Sequence, residues 1–364
     1  MKLTIITEPL AGGVGEYFCN HLSCLIHDPN IQYEFIYSDH RADPEKITRL
    51  RNLSNGLIKF KRFYTTNKLS IVVDLFWCYR FYRYLKDNAP QVVHFNSSKV
   101  GILGRLVCIL SNYKGRIIYT PHGLPLNKSI IYKYLERLLA YKTDLFNFVS
   151  KSESHNAINY LKICKQKTIV TPLFLSKKLK FAMPKDLNSE NITLYTVGRV
   201  TIDKDPEFFI KCVLSLSRSH NKFNFKWIGS FENEKYKPLF KKSVPFCNIT
   251  GWVDDVYETL SGKAIMVMTS KNESFCYAAA EAISLGIPTI LRRSIGLTDL
   301  LPQDYKYYFS TLQEFSIIAD SIANDYVKSL HYMSEYQHYF NKTFTKTKYS
   351  KLVKKMYGFQ TNTE

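Results

Sequence analysis

The stretch Ser270-Lys271-Asn272-Glu273-Ser274-Phe275-Cys276-Tyr277-Ala278-Ala279-Ala280-Glu281-Ala282, followed by Gly286-Ile287-Pro288, decides how this chain reads. It comes after an apolar run at 264–268, short enough for a buried parallel strand, and it opens an Ala-rich helix. Gly286 and Pro288 punctuate the end of that helix, and a second short apolar run begins at 287. Strand, loop, helix and strand make one βαβ unit. Within it, Glu273 lies in the loop and Glu281 about one turn into the helix. The first N–H groups of a helix lack intrahelical partners and suit phosphate oxygens, while carboxylates accept hydrogen bonds from sugar or ribose hydroxyls. A glutamate near a helix start also favours the dipole without any ligand, which explains one of the two but not the whole arrangement.

Working outward, the same alternation fills the chain. Strands are expected at 192–197, 223–228, 247–250, 264–268 and 287–291 in the second half. The first half offers 3–7, 33–37, 91–95, 116–120, 145–149 and 168–171, with amphipathic stretches such as Phe18, Leu22, Leu25 and Ile26 between strands. The periodicity lapses over a Lys-, Pro- and Asn-bearing segment, and the chain beyond about 310 reads as helical. A length of 364 residues also exceeds what one core usually organises. The expectation is therefore an α/β protein of two Rossmann-like domains facing across a central cleft, with a helical C-terminal tail. Residues 1–173 form the first domain, 174–190 a linker, 191–340 the second domain, and 341–364 a terminal helix and tail packing back toward the first.

Composition removes several classes. With 45% hydrophobic and 22% charged residues the chain is too apolar for a disordered polyelectrolyte. No apolar run reaches the roughly 18 residues of a membrane-spanning helix, and the N-terminal apolar stretch is too short for a signal peptide and reads as a strand. The 8 cysteines are scattered without a CxxC pair or a Cys/His cluster, which fits reduced thiols in a cytoplasmic protein.

Ligands of open α/β sheets bind beyond the carboxyl ends of the strands, so the loops there carry most weight. The first is Ala11-Gly12-Gly13-Val14-Gly15, where glycines permit close backbone approach; it lacks the full GxGxxG spacing, and a plain tight turn explains it equally well. The second, Thr120-Pro121-His122-Gly123, sets a histidine on a strand-end turn, as a site residue or a satisfied structural one. The third is Gly198-Arg199-Val200 with Lys204. A planar guanidinium and a point-charge ammonium suit a diphosphate, the alternative being a solvated surface pair. Asp203-Lys204-Asp205 has the outline of a metal-binding DxD, but Pro206 after it marks a turn and helix start.

In this order, these motifs together with Val149-Ser150-Lys151-Ser152-Glu153 and Gly251-Trp252-Val253 with Asp255 make the chain resemble the family 4 retaining glycosyltransferases of GT-B fold. The resemblance implies transfer of a hexose or N-acetylhexosamine from a nucleotide-diphosphate sugar, a UDP-sugar favoured, onto a lipid-linked saccharide in O-antigen or capsule synthesis. It implies no metal or other cofactor. Arg199 and Lys204 would grip the diphosphate, Glu273 the donor-sugar hydroxyls and Glu281 the ribose. The backbone at Phe275, Cys276 and Tyr277 would hold phosphates or sugar, and His122 the sugar. Gly198 would belong to the phosphate loop, Trp252 and Val253 would border the base, and Gly13 would face the reacting centre. Two departures stand out: Ser274-Phe275-Cys276 replaces the common Gly-Phe-Gly, and Lys204 is followed by Asp205 rather than Gly.

The formal charge of +19 is uneven: residues 1–180 hold 27 Lys and Arg against 12 Asp and Glu, the remainder 23 against 19. An excess of cations in the first half points to a polyanionic partner. Arg80, Arg83 and Lys86, set among aromatics from Phe76 to Tyr84, suit the anionic inner surface of a plasma membrane, with Lys59, Lys61 and Arg62 nearby; a partly buried helix with a basic outer face fits the same residues. The rival functions are a nucleotide-sugar epimerase on the same architecture and a basic nucleic-acid-binding protein. No nucleic-acid motif accompanies the charge, so nucleic acid is not expected as a partner.

Overall fold

The computed structural model describes all residues except 26–30, 41, 67–68, 124–129, 177–190, 218–221, 261 and 360–364. It divides into two compact units, Met1–Ser176 with Thr345–Glu364, and Lys177–Phe344. Most of the segment read as a linker lies outside the described residues.

The N-terminal unit holds seven strands: β1 (Lys2–Thr7), β2 (Gln32–Tyr37), β3 (Ile58–Arg62), β4 (Val92–Asn96), β5 (Arg116–Thr120), β6 (Leu145–Phe148) and β7 (Thr168–Val170). They form one parallel sheet in the order β3-β2-β1-β4-β5-β6-β7. Strand β4 is buried along its whole length, as expected for a strand covered on both faces. Trp77 and Phe81 of helix Ile71–Asn88 pack with Phe95 of β4 in the core on one side of the sheet. On the other side, helix Gly12–Leu25 buries Phe18 against Phe35 of β2.

The C-terminal unit holds β8 (Ile192–Val197), β9 (Phe223–Ile228), β10 (Asn248–Ile249), β11 (Lys263–Met268), β12 (Thr289–Arg292) and β13 (Tyr308–Phe309), parallel throughout in the order β10-β9-β8-β11-β12-β13. Phe209, Val213 and Trp227 centre its core with Ile265, Val267 and Ile290. Both units are thus Rossmann-like, and the protein has the two-domain α/β fold that the motifs imply. Helices Leu312–Asn324, Tyr326–Thr343 and Lys346–Tyr357 follow β13; the last of them belongs to the N-terminal unit.

Two strands escape the sequence reading. β13 has only two residues. β3 reads Ile58-Lys59-Phe60-Lys61-Arg62, and its cations look like a basic surface. In the fold Lys61 Nζ lies 3.1 Å from Glu34 and Arg62 Nη2 2.6 Å from Asp39, so two of the three charges expected at a membrane are held in ion pairs.

Candidate active site

In the C-terminal unit the strand order reverses between β8 and β11, which makes their carboxyl ends the switch point where open α/β sheets bind ligands. The loop after β8 carries Gly198, Arg199 and Lys204; the loop after β11 carries Glu273. Gly198 has φ 142°, a backbone conformation that side chains rarely adopt, and the Lys204 side chain passes close by, 2.9 Å from where a Cβ would stand. Its carbonyl accepts a 2.7 Å bond from Trp227 Nε1. A single 3₁₀ turn, Ile202–Lys204, then ends at Asp205, left-handed at φ 53°, and helix Pro206–Ser217 starts with proline, as the sequence indicates.

The two loops are stitched together. Thr269 Oγ1 donates to the Lys204 carbonyl at 3.0 Å and the Lys271 N–H to the Asp203 carbonyl at 2.9 Å. Lys204 Nζ donates to Glu273 Oε1 at 2.5 Å. Burial opposes the charge on Lys204, but attraction to the Glu273 carboxylate and the hydrogen bond outweigh it, and the ammonium is held above the usual lysine range. The site therefore keeps a fixed cation at neutral pH. Arg199, half exposed, makes a 2.8 Å ion pair with Glu232, a solvent-screened contact that a ligand can exchange at little cost.

The Asp205 carboxylate is held between two cations, meeting Arg292 Nη1 at 2.6 Å and Lys271 Nζ at 3.4 Å. Among the described residues no three His, Cys, Asp or Glu side chains are gathered as a metal site.

Beyond Glu273 the chain turns at Cys276 (φ 57°) into helix Tyr277–Ser284. The Phe275 ring is buried against Tyr277 and Phe344, so only its backbone is available to a ligand. Burial pushes the Cys276 thiol up to about 12, leaving it uncharged. Glu281 lies one turn into the helix, with Tyr257 Oη 3.4 Å from its Oε2. Trp252 is 70% exposed beside Gly251 and Val253, an uncovered ring in the loop after β10.

Two family models together span most of the chain. The model described as Glycosyltransferase Family 4 matches residues 11–175, and that described as Glycosyl transferases group 1 matches residues 179–336. The chain belongs to glycosyltransferase family 4. The transferase is 25% identical over 234 residues to an uncharacterized 41.2 kDa protein in the cps region of Klebsiella pneumoniae, covering 60% of this chain and 64% of that one, under two thirds of the relative's length. It is also 25% identical over 285 residues to the UDP-Gal:alpha-D-GlcNAc-diphosphoundecaprenol alpha-1,3-galactosyltransferase of Escherichia coli, covering 71% of each. Its fold is that of Anabaena HepE, whose crystal structure holds UDP and glucose, with TM-score 0.78, 14% identity and coverage of 98% and 99%.

The transferase's remaining expected site residues, Gly13 and His122, belong to its N-terminal unit. Gly13 is exposed in the first turn of helix Gly12–Leu25. One turn later the Tyr17 ring packs 4.4 Å, edge to face, from the His122 imidazole. His122 is left-handed at φ 53°, and its Nε2 is 3.0 Å from Asn96 Oδ1. Because Asn96 Nδ2 donates to the His94 carbonyl at 3.2 Å, Oδ1 must face the imidazole, so Nε2 carries the proton. Burial pushes His122 down to about 3, and the ring is neutral. Gly123 N–H donates to Glu153 Oε1 at 2.9 Å, which ties the His122 turn to the helix capped by Ser150.

Sequence reasoning passed over two other histidines, His21 and His94, both fully buried. Tyr357 Oη lies 2.7 Å from His21 Nε2 and 2.6 Å from His94 Nδ1, while Tyr349 Oη lies 2.8 Å from His21 Nδ1. These bonds fasten helix Lys346–Tyr357 to the N-terminal unit. The partners are more than 250 residues apart, and no local pattern announces them.

Of Arg80, Arg83 and Lys86, Arg80 is half-buried, donating to the Arg62 carbonyl at 3.2 Å with its guanidinium 4.3 Å from the Phe63 ring. Arg83 and Lys86 are exposed.

Proposed function

We propose that this family 4 transferase moves a hexose or N-acetylhexosamine from a UDP-sugar to a lipid-linked saccharide with retention of anomeric configuration and without a metal. The observation that carries the reading is the pair of cations on the β8 loop, with Lys204 fixed by Glu273 at the switch point of the C-terminal sheet. The names of the relatives, a galactosyltransferase acting on a diphosphoundecaprenol-linked sugar and a protein of a capsule region, support an acceptor borne by the membrane and a role in O-antigen or capsule synthesis. UDP in the Anabaena structure supports the choice of base. The enzyme would work at the cytoplasmic face of the membrane that carries its acceptor.

In this reading the anomeric C–O bond of the donor breaks and its electron pair passes to the terminal phosphate oxygen of UDP. Arg199 and Lys204 stabilise the charge that develops there, the part a metal plays elsewhere, and the N-terminus of helix Tyr277–Ser284 adds its dipole. The acceptor oxygen forms the new bond on the same face, and its proton goes to the departing phosphate oxygen. Glu273 accepts from sugar hydroxyls with the carboxylate oxygen that Lys204 leaves over, and Glu281 holds the ribose. Trp252 and Val253 border the uracil. Neutral His122, its Nε2–H held by Asn96, accepts at Nδ1 from a sugar hydroxyl, and the exposed backbone of Gly13 leaves room for the reacting centre.

The test is thermal stability in EDTA with UDP, GDP and their sugars, for the wild type and Arg199→Ala. A ligand at about 100 times its Kd adds roughly 2.7 kcal/mol to the folded state. The expected result is a shift with UDP and UDP-sugars alone, lost in the variant. No shift until a divalent metal is added would overturn the metal-free reading, and a shift with GDP alone the choice of base.

A further inference from the structure

Two helices of the N-terminal unit bury a carboxylate on their inner face and leave apolar side chains on their outer one. Both flank helix Ser98–Leu110, and both turn a carboxylate inward toward a cation on it. Asp74 of helix Ile71–Asn88 is buried with Lys99 Nζ at 2.6 Å, and Glu136 of helix Ile130–Lys142 is fully buried with Arg105 Nη2 at 2.8 Å. Arg105 also donates to the Gly101 carbonyl at 2.8 Å and lies 3.9 Å over the Tyr119 ring. Trp77, Phe81 and Tyr84 of the first helix and Leu139 of the second fill the same inner faces, so what is unusual is the outer faces, where a surface helix ordinarily carries its charges.

A second set of apolar residues on these helices faces out. On the first helix Ile71, Val72, Leu75, Phe76 and Tyr79 recur at helical spacing and are all exposed, Leu75 by 65%. On the second, Ile130, Ile131, Tyr134, Leu138 and Tyr141 do the same, Ile131 by 74%. Single exposed apolar side chains are ordinary, but two stripes on helices packed against a common neighbour make a surface that needs an occupant. The charges around them are of one sign. With Asp74 and Glu136 inside, the only acid these two helices expose is Asp87, whereas Arg83, Lys86 and Lys142 are exposed. Apolar and tyrosine side chains rimmed by cations match a bilayer interface bearing anionic headgroups.

We propose that the outer faces of helices Ile71–Asn88 and Ile130–Lys142 together form a surface that inserts into the interface of an anionic membrane. Leu75, Phe76, Ile131 and Leu138 enter the acyl boundary, and Arg83, Lys86 and Lys142 meet the headgroup phosphates. The buried ion pairs with helix Ser98–Leu110 set the rotation of both helices and so keep the apolar stripes outward. The surface deepens the reading of a membrane-borne acceptor, since it holds the N-terminal unit against the bilayer that presents that acceptor.

The experiment is flotation of the full chain with vesicles of phosphatidylethanolamine and phosphatidylglycerol, without donor or acceptor. The variants are Leu75→Gln/Phe76→Gln, Ile131→Gln/Leu138→Gln and Arg83→Gln/Lys86→Gln. The changed residues are all exposed, so the fold survives, which circular dichroism checks. Each apolar pair is expected to lower the partition coefficient about tenfold at low and high salt alike; the cation pair lowers it only at low salt and only with phosphatidylglycerol present. Wild-type protein that stays with the soluble fraction, or apolar variants that partition like the wild type, would overturn the proposal. So would a dimer in sedimentation that these variants dissolve, which would give the face to a second copy of the chain. UDP release with a detergent-solubilised acceptor is read in parallel: its loss in the wild type refutes the transferase reading alone, and its retention in variants that no longer float separates the membrane surface from the chemistry.

Discussion

Gly296 tests whether the site depends on the placement of Glu273 by backbone as well as by side chain. A Cβ at Gly296 would stand 2.2 Å from the Glu273 carbonyl oxygen and 2.7 Å from its carbonyl carbon. Real contacts of that kind begin above 3 Å, so Gly296→Ala must push the Glu273 backbone by about 1 Å, and close packing leaves the surroundings little room to absorb it. The Glu273 N–H is held by the Ile295 carbonyl at 3.0 Å, so the shift moves that junction and with it the carboxylate that meets Lys204. A misplacement of about 1 Å in a positioned group costs on the order of 10²-fold in rate. Gly296 also has φ 81°, where a Cβ adds about 1–2 kcal/mol of backbone strain. Gly262→Ala supplies the control, because Gly262 has φ 73° and nothing within 4 Å of the added carbon. Gly262→Ala should lose about 1–2 kcal/mol in urea unfolding from backbone strain alone and Gly296→Ala more, but only Gly296→Ala should lose about 10²-fold in kcat/KM for the donor, read by UDP release. A folded Gly296→Ala protein within about threefold of wild-type activity would refute the reasoning, as would an equal loss in Gly262→Ala.

Lys204→Met should lower kcat by about 10²-fold or more under saturating donor, since the cation is assigned to charge that appears only in the transition state; a change in KM alone would assign it to ground-state binding instead. Tyr357→Phe removes the partner of two buried ring nitrogens, each worth about 1–3 kcal/mol when left unsatisfied, so it should lower stability by about 2 kcal/mol or more. A loss under about 0.5 kcal/mol in urea unfolding would refute the bridging role. Acid should also weaken the fold. Burial pushes His21 down to about 3 and His94 well below its ordinary value, so below about pH 6.5 the unfolded chain takes up protons that the folded chain refuses. Stability is then expected to fall by about 1.4 kcal/mol per histidine for each pH unit between about 6.5 and 3; urea midpoints at pH 7.5 and 5.5 check this, and equal midpoints would contradict it.

The donor half of the site was legible because its parts are close in sequence and its chemistry is carried by residue type. Glycine, two cations and Glu273 sit on two loops, with Glu281 one turn into the helix that follows, and a strand before each loop and a helix after it are enough to put them at carboxyl ends of the sheet. The sequence could not say which of them touch. Lys204 and Glu273 are 69 residues apart, and their bond depends on β8 and β11 being neighbours. The N-terminal half hides more, because its decisive pairs are charges facing inward. Lys99 with Asp74 and Arg105 with Glu136 read in sequence as solvated helix faces, and because helix Ile71–Asn88 is apolar on both sides, hydrophobic periodicity does not choose between Trp77 with Phe81 and Leu75 with Phe76 as its inner face.

The two departures from the family pattern gain a physical meaning in the fold. Asp205 and Cys276 both occupy left-handed backbone, at φ 53° and φ 57°, where glycine is the unstrained choice. Each added side chain therefore costs about 1 kcal/mol or so locally and must be held by something. For Asp205 the restraint is explicit: its carboxylate joins Arg292 from β12 to Lys271 from the Glu273 loop, and the Arg292 guanidinium in turn lies 4.3 Å over the Phe208 ring and donates to the Thr269 carbonyl at 3.0 Å. A glycine would relax the turn and lose the clamp between the two loops that carry Lys204 and Glu273. For Cys276 the side chain is buried beside that same pair and stays neutral, so it adds volume to the site and no charge. One departure thus acts on the rigidity of the donor loops and the other on the space beside them, and the electrostatics assigned to catalysis rest on residues that neither alters.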